Sequence, residues 1–413
     1  MKVTSREKEV LRSLAGRVAE IAALPVHGKK IGMWKDLNEL RPVRPLVWIN
    51  ELPWHEMDVD GELTSCCKEG FLNEVEGGLR STIYLWTHMP ADMVIEPKFL
   101  CHAVIKSSDF GITEDSDTTT GGGSLSRHFH GQFTTPEDAQ KIKLPTVTHD
   151  KAETERRIEL LTGIFGDLLP VEFYGIGFQW FAPWDRLICW YGVQEAMTDM
   201  AINPETVHAC MERLVAGYFH ALKQVEEQNL LALNNGNFRI GSGGLGYTGE
   251  LPRKDFTPGH VRTIDQWGNA TPQIFSEISP AMHEEFALRY ERPWLAKFGL
   301  TYYGCCEPLH NKMGLLKTIP NLRKVSVSPK ADKRMIAGEL GKKYVASLKP
   351  NPALLATDVF DENHARAVLR EELAQLKGCG VEIILKDVTT IRRDPRRLWA
   401  WAKMAVETAH EAG

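Results

Sequence analysis

The spacing of apolar residues along the chain changes between helical and strand-like periods. Near the N-terminus the spacing is helical, with apolar positions at Val10, Leu11, Leu14, Val18, Ile21 and Ala22, and it predicts a helical segment over 1–40. Short apolar runs predict strands over 44–51, 81–88, 93–106, 171–178 and 230–233. Amphipathic stretches and start signals predict helices over 134–143, 147–169, 193–203 and 204–228. The first half therefore mixes helices and strands.

From residue 279 onward the two periods alternate regularly. Ser279 and Pro280 are an N-cap and first-turn pair that opens a helix over 279–297, and the apolar strand that follows stops at Gly304. The pattern then predicts helices over 312–319, 330–340, 362–377 and 395–408, with strands over 324–327, 344–348 and 381–385. Alternating strands and helices indicate a parallel sheet, and such barrels place their sites at the C-terminal strand ends.

The length and composition fit one large globular unit. The chain has 413 residues, of which 43% are hydrophobic and 25% are charged, so it can bury a large core. Barrels of alternating strands and helices often exceed about 250 residues as one domain. We therefore expect an α/β protein with an N-terminal helical extension over 1–40 and one barrel over 41–413, interrupted by long inserted loops such as 107–133.

Charge and hydropathy exclude some partners and compartments. The net charge is −5 and the basic residues form no long run, which argues against nucleic acid as a partner. The first residues are charged and amphipathic, unlike a secretory signal, and no apolar run approaches the roughly 20 residues that span a bilayer. We expect a cytoplasmic protein whose eight cysteines are reduced. The N-terminal helix is also a candidate homodimer contact.

Candidate metal chemistry is concentrated in the turn after the strand that stops at Gly304. Cys305, Cys306, Glu307 and His310 lie within six residues there. Thiolates and imidazoles are the ligands that zinc prefers, and a catalytic site needs about three protein ligands. The spacing predicts a zinc site at Cys305, Cys306 and His310. Structural thiols are the alternative interpretation, because free cysteines are often buried in cores.

Other polar residues follow predicted strands. Glu51 ends the strand over 44–51, and Lys349 and Asp387 follow two of the later strands. These three are the candidate catalytic residues. Aromatic side chains near strand ends could line an apolar pocket or bind a cationic ligand, although lid packing is equally consistent with them, and an asparagine would supply neutral hydrogen-bonding groups. The candidate substrate-binding residues are Trp48, Trp54, Trp180, Phe181, Trp184 and Asn234.

The order of motifs over residues 273–409 resembles the uroporphyrinogen decarboxylase superfamily. The features that carry the resemblance are Ser279-Pro280, Tyr303-Gly304-Cys305-Cys306, the strand over 325–327, Lys349-Pro350-Asn351-Pro352, and Lys386-Asp387 before Asp394-Pro395. The pattern from Leu46 onward fits more loosely. The resemblance implies a TIM-type (β/α)8 barrel.

Within that superfamily, the chain resembles the methyltransferases of corrinoid-dependent systems more than the porphyrinogen decarboxylases. The decarboxylases carry an arginine-rich motif where this chain has the acidic Glu51, which would repel a polycarboxylate. Cys305 matches the zinc-binding cysteine of the methyltransferases. Tyr303 and Asp387 stand in place of the family's histidine and final cysteine, so a zinc set would need Cys306, Glu307 or His310.

The resemblance implies transfer of a methyl group between a small methylated substrate, of methoxyl or methylamine type, and a separate corrinoid protein. The corrinoid would belong to a partner because the chain lacks an Asp-x-His-x-x-Gly cobalamin signature. Zinc or an acid would polarise the donor heteroatom, with Glu51 or Asp387 as acid or base. Two alternatives remain open. One is a metal-free decarboxylase that holds a small carboxylate with Lys349, Lys386 or Arg239, and the other is a non-catalytic ligand-binding barrel.

Overall fold

The computed structural model describes residues 3–68, 70–121 and 124–413. Its α-helices are α1 (Ser5–Ala22), α2 (Val26–Asn38), α3 (Gly70–His88), α4 (Lys151–Phe165), α5 (Pro183–Tyr191), α6 (Val193–Ile202), α7 (Pro204–Glu227), α8 (Pro280–His283), α9 (Arg289–Leu295), α10 (Met313–Leu316), α11 (Lys333–Leu340), α12 (Glu362–Gln375) and α13 (Arg396–Glu411). Its strands are β1 (Leu46–Ile49), β2 (Phe99–His102), β3 (Ile105–Ser107), β4 (Ser116–Gly121), β5 (Ser124–Phe129), β6 (Val147–His149), β7 (Val171–Tyr174), β8 (Trp267–Ala270), β9 (Leu300–Tyr303), β10 (Leu322–Val327), β11 (Val345–Leu348) and β12 (Gly380–Leu385). Within these ranges, no helix has both the length and the apolar character needed to cross a bilayer.

A parallel sheet organises the fold. Six strands pair in the order β1-β12-β11-β10-β9-β8, and every pairing is parallel. Leu46 of β1 pairs with Glu382 of β12, so the first strand of the sheet lies beside the last. β2 and β7 form a separate two-stranded parallel sheet. The prediction of an α/β protein with a parallel sheet is therefore confirmed.

One buried asparagine connects the ends of three chain segments. Leu231 forms an isolated parallel bridge with Ile176, just after β7. The Asn234 side chain donates to the carbonyl oxygens of Gly177 at 2.7 Å and Trp267 at 2.9 Å, and it accepts from the Trp267 amide at 2.8 Å. The amide of Asn234 thus connects the segments around residues 177 and 234 to β8.

The apolar core has two main parts. The larger part includes the sheet residues Val325 and Ile383, which are fully buried. The second part lies under the N-terminal helix, where Leu11 of α1 packs in one cluster with Leu79 of α3 and Leu161 of α4. The apolar face of α1 is therefore covered by the same chain.

Several predicted elements differ from the structure. The strand predicted over 81–88 is wrong, because these residues complete α3, whose buried positions Leu72, Val75 and Leu79 have helical spacing. Residues 81–88 are rich in aromatic and β-branched side chains, which are typical of strands. The helical spacing of the buried residues before them shows that they continue the helix. The helix predicted over 134–143 is a short 3-10 helix, and the one predicted over 147–169 begins as β6 before α4. The helix predicted over 279–297 contains a π-helical turn between α8 and α9.

A buried ion pair lies inside the sheet. Lys324 of β10 and Glu382 of β12 are both fully buried, and their charged atoms are 2.8 Å apart. The glycine-rich segment that follows Asn234 packs against this pair, with the Gly244 amide donating to Glu382 at 3.1 Å. A Cβ atom at Gly244 would lie 2.5 Å from the ring of Trp34. The absence of a side chain therefore lets this backbone approach the buried carboxylate.

Breaking this pair should destabilise the protein strongly. Glu382→Gln removes one charge and leaves the Lys324 ammonium buried without a counter-ion, so we expect a loss of about 3–5 kcal/mol in the free energy of unfolding. Urea denaturation measures it. The control is Arg370→Ala in the exposed Arg370–Glu411 pair, for which about 0–1 kcal/mol is expected. Equal effects in the two variants would contradict the assignment.

Candidate active site

A cavity of about 340 Å³ lies where several strands end. Glu51 follows β1, Cys305 follows β9, and Lys386 and Asp387 follow β12. The carboxyl ends of parallel strands meet at one edge of a sheet, which is why residues so distant in sequence share one cavity. The complete lining is Glu51, Phe178, Trp180, Arg239, Gly241, Ser242, Gln273, Cys305, Lys386 and Asp387.

The backbone at these strand ends is in the left-handed region. The φ angles are 51° at Glu51, 56° at Asp387 and 94° at Gly304, the residue before Cys305. Non-glycine residues seldom adopt this conformation, because it is sterically unfavourable. It is stable only where neighbouring groups hold the backbone in place. Hydrogen bonds between the β1 and β12 ends hold it here, from the Val388 amide to the Glu51 carbonyl at 3.2 Å and from the Asn50 amide to the Leu385 carbonyl at 3.0 Å. The turns thus set where the Glu51 and Asp387 side chains begin.

The charged side chains of the cavity form a connected set of ion pairs. Glu51 is 2.5 Å from Arg239 and 3.2 Å from Lys386, and Lys386 is 2.6 Å from Asp387. Burial favours the neutral form of Glu51, but the Arg239 and Lys386 cations lower its pKa to about 2. Glu51 is therefore ionised at neutral pH and has no proton to donate.

Cys305 is the nucleophilic side chain of the cavity. Its sulfur lies 3.5 Å from the Cys306 sulfur and 3.7 Å from the Lys386 ammonium. The hydrogen bond from the Cys306 thiol, helped by the positive charges of Lys386 and Lys349, lowers the pKa of Cys305 to about 6 despite its burial. The same hydrogen bond and burial raise the pKa of Cys306. Cys305 is therefore the thiol of the pair that ionises first, and the Cys306 thiol lies beside it.

A buried layer beneath Cys305 fixes the turn. The fully buried Glu307 carboxylate accepts the Cys305 amide at 2.9 Å and the Thr271 hydroxyl at 3.0 Å. Burial and the nearby Cys305 raise the pKa of Glu307 to about 7. The Ser326 hydroxyl donates to the Cys305 carbonyl at 2.6 Å. Three side chains that do not line the cavity therefore hold the thiolate in place.

Lys349 lies one layer away from the cavity. Its ammonium donates to the Tyr302 hydroxyl at 2.8 Å and to the Ser347 hydroxyl at 2.6 Å, and burial lowers its pKa to about 7. The Tyr302 hydroxyl is 3.0 Å from the hydroxyl of Ser242, which does line the cavity. A chain of hydrogen bonds thus connects Lys349 to the cavity wall.

The predicted substrate-binding aromatics separate into two groups. Trp180 lines the cavity, whereas Phe181 and Trp184 are buried in the core. Phe181 stacks on Trp294 with ring centroids 4.4 Å apart, and the Trp184 indole donates to the Phe286 carbonyl at 2.8 Å. Both residues therefore pack in the core around the start of α5.

Trp48 and Trp54 line a second, larger cavity of about 520 Å³. Glu51 and Arg239 belong to the walls of both cavities, so the two spaces adjoin at this ion pair. Asn234 lines neither of them, because its amide is used in connecting the strand ends.

The three predicted zinc ligands are only partly brought together, because the Cys305 and Cys306 sulfurs are 3.5 Å apart but His310 bonds to a different element. The His310 ring accepts the Asp332 amide at 3.3 Å, at the start of α11, and Tyr303 is fully buried against Glu291 and His283. Over residues 3–68, 70–121 and 124–413, no group of three His, Cys, Asp or Glu side chains is arranged to hold a metal ion. The Lys386 ammonium beside the Cys305 sulfur would also repel a dication. This arrangement does not fit zinc.

Comparisons with known proteins add a likeness at the level of structure. No protein-family model matches the chain, and no curated protein matches it. A solved structure, a methyltransferase from Methanosarcina mazei, superposes with a TM-score of 0.50 at 10% sequence identity. The match covers 92% of this chain and 98% of the other, so the two proteins share a fold over nearly their whole lengths.

Some cavity residues carried no clear signal in the sequence. Phe178, Ser242 and Gln273 line the cavity, but none of them belongs to a recognisable motif. The glycine-rich segment after Asn234 gave a partial signal, since it predicts close approach of the backbone to a ligand. Gly241 and Ser242 of that segment are part of the wall.

The thiolate assignment predicts the pH dependence of alkylation. The rate of Cys305 modification by iodoacetamide should rise as pH increases through about 6, because the thiolate is the reactive form. Peptide mass spectrometry after timed labelling gives this rate. Cys306→Ala and Lys386→Met should each shift the midpoint upward, since each removes a group that lowers the pKa. A wild-type midpoint at the ordinary thiol value of about 8.5 would contradict the assignment.

Because His310 does not lie with the two thiols, we expect the purified protein to contain little zinc. Protein purified without chelator or affinity tag should contain far less than one equivalent of zinc by elemental analysis, because three ligands do not converge. Cys305→Ala and His310→Ala should leave that content unchanged. Near-stoichiometric zinc that is lost in both variants would show that the turn rearranges to bind metal.

Proposed function

We propose that this protein is a methyltransferase of the corrinoid-dependent type, built on a distorted (β/α)8 barrel. The observation that carries the proposal is the Cys305 thiolate, which lines a cavity at a strand end and occupies the position that corresponds to the family's cysteine. The whole-length structural likeness to a methyltransferase supports it at the level of fold. The barrel is supported by the two parallel sheets and by the Asn234 contacts, which connect the end of β7 with β8.

In this proposal the Cys305 sulfur attacks the methyl carbon of a small methylated donor, of methoxyl or methylamine type. The new S–C bond forms as the bond between carbon and the donor heteroatom breaks, and the heteroatom keeps the electron pair. The Cys306 thiol and the Lys386 ammonium hold the sulfur as a thiolate before attack. Lys386 also keeps Glu51 and Asp387 in place around the donor.

The methyl acceptor is proposed to be a corrinoid on a separate partner protein, which would supply a strongly nucleophilic cobalt. The mouth of the cavity is compatible with approach from outside, since the Asp387 side chain is 52% exposed and Cys306 is also exposed. No step of this proposal uses zinc, because the described residues predicted to bind it do not form a site for it. Lys349 is proposed to return a proton to the cavity through Tyr302 and Ser242 when the leaving group needs one.

The charge of the cavity weighs against the decarboxylase alternative. A metal-free decarboxylase needs a cation to hold the substrate carboxylate, and Arg239 and Lys386 are the candidates in the wall. Both are already paired with Glu51, and Lys386 is also paired with Asp387. Admitting a carboxylate would require one of these pairs to separate, which favours the methyltransferase.

Methyl transfer to free cob(I)alamin tests the proposal directly. The protein is mixed with a panel of methoxylated and N-methylated donors, and formation of methylcobalamin is followed by its absorption spectrum. Cys305→Ala should reduce the rate by at least about 100-fold, because loss of a covalent nucleophile removes its whole pathway. Cys306→Ala is the matched control, and it should retain activity with its pH profile shifted upward.

Two further readouts separate the alternatives. Without an acceptor, one donor methyl group should remain on the peptide that contains Cys305, detected as a mass gain in wild type and not in Cys305→Ala. Release of carbon dioxide from small carboxylates without methyl transfer would instead show a lyase. Full activity of Cys305→Ala would remove the proposed role of this thiolate.

A further inference from the structure

The cavity at Cys305 has no free positive charge in its described wall. Arg239 lies beside Glu51, and the Lys386 ammonium is shared between Glu51 and Asp387. These two cations balance two carboxylates, and the Cys305 sulfur adds a further group that attracts positive charge. The polar side of the cavity is therefore neutral to negative overall, and it offers no partner for an anionic ligand.

Aromatic side chains also line the cavity. Phe178 and Trp180 both line it, with ring centroids 6.0 Å apart and ring planes tilted by 32°. Aromatic faces attract cations through the ring quadrupole, and quaternary ammonium groups are often bound in this way. A ligand in the cavity thus lies near both aromatic rings and carboxylates.

A buried carboxylate behind this wall adds negative charge. The Gln273 amide, which lines the cavity, donates to one oxygen of Asp185 at 2.5 Å. The other oxygen of Asp185 is buried without a hydrogen-bond partner. Burial raises the pKa of Asp185 to about 6, because no cation among the described residues compensates its charge there. A carboxyl group with one unpartnered oxygen behind Gln273 favours positive charge in the cavity.

The chemistry of the leaving group is simpler for a cationic donor. Breaking the C–O bond of a methoxyl donor produces an alkoxide, which needs a proton as it leaves. Glu51 has no proton to give, so that proton would have to come along the longer route from Lys349 through Tyr302 and Ser242. A cationic donor needs none, because its heteroatom leaves as a neutral molecule.

From these observations we infer that the cavity binds a methylated cation, a quaternary ammonium or sulfonium group, and that this cation is the methyl donor. The inference rests on the proposed methyl transfer and narrows its substrate class. The Cys305 sulfur forms a bond to one methyl carbon, the C–N or C–S bond breaks, and the heteroatom keeps the electron pair. A quaternary ammonium donor leaves as a neutral tertiary amine, and no other reactant takes part in this step.

Binding of choline and of its neutral carbon isostere tests the charge requirement. The two molecules have the same shape, so calorimetry of the full chain isolates the effect of the positive charge. Choline should bind at least about tenfold more tightly. Trp180→Leu should remove most of this preference, and Trp180→Phe, which keeps a π face, should retain it. Equal affinity for choline and the isostere in wild type would overturn the inference.

Methyl transfer to free cob(I)alamin provides the second arm of the test. Transfer from choline or from a dialkyl methyl sulfonium, with none from matched methoxylated donors, supports the inference and identifies which cation is used. Transfer from neutral methoxylated donors alone would overturn the inference and leave the proposed methyltransferase intact. Choline binding in the cavity with no transfer from any donor would support recognition of the cation and overturn its role as donor together with the proposed function.

Discussion

The Lys386 ammonium lies between three anionic groups that come from three different strand ends. It is 2.6 Å from Asp387, 3.2 Å from Glu51 and 3.7 Å from the Cys305 sulfur. Burial alone would lower the pKa of Lys386, but Cys305 and Asp387 raise it above its usual value, so the charge is kept. Without this cation, Asp387 and the Cys305 sulfur would lose their positive partner in a half-buried space, and Glu51 would keep only Arg239.

The charges of the interior are arranged in layers with different roles. The deepest layer is the Lys324–Glu382 pair, which is fully buried and is sealed by the backbone of Gly244. Above it, Lys349 bonds to the hydroxyls of Tyr302 and Ser347 and carries a pKa near neutrality. The outermost layer, around Lys386, reaches the cavity. From the interior of the sheet to the cavity, the charged groups are therefore the fixed Lys324–Glu382 pair, then Lys349, which can exchange a proton, and then the reactive Cys305 sulfur.

The sequence was informative where residues follow a regular pattern and less so where function depends on side-chain direction. Alternating strands and helices after residue 279 predicted the parallel sheet, and strand ends predicted that Glu51, Cys305 and Asp387 would meet. His310 is close in sequence to Cys305 and Cys306, but its ring bonds to Asp332 instead of joining them. Phe181 and Trp184 are close in sequence to Trp180, but the start of α5 places them in the core. The side chains of neighbouring residues in a turn point in very different directions. Those directions depend on the path of the backbone and not on which residue types are present.

The pairing of β1 with β12 also has a consequence for the order in which the protein is made. Leu46 to Ile49 are translated well before their partners Glu382 to Leu385, because most of the sheet's other strands lie between them in the sequence. Such long-range contacts form slowly, and β1 stays without its partner while most of the chain is synthesised. Glu51 and Lys386 come from these two strand ends, so the cavity cannot be complete in any nascent chain that stops before β12. Synthesis itself therefore delays the appearance of the reactive site until the whole sheet is available.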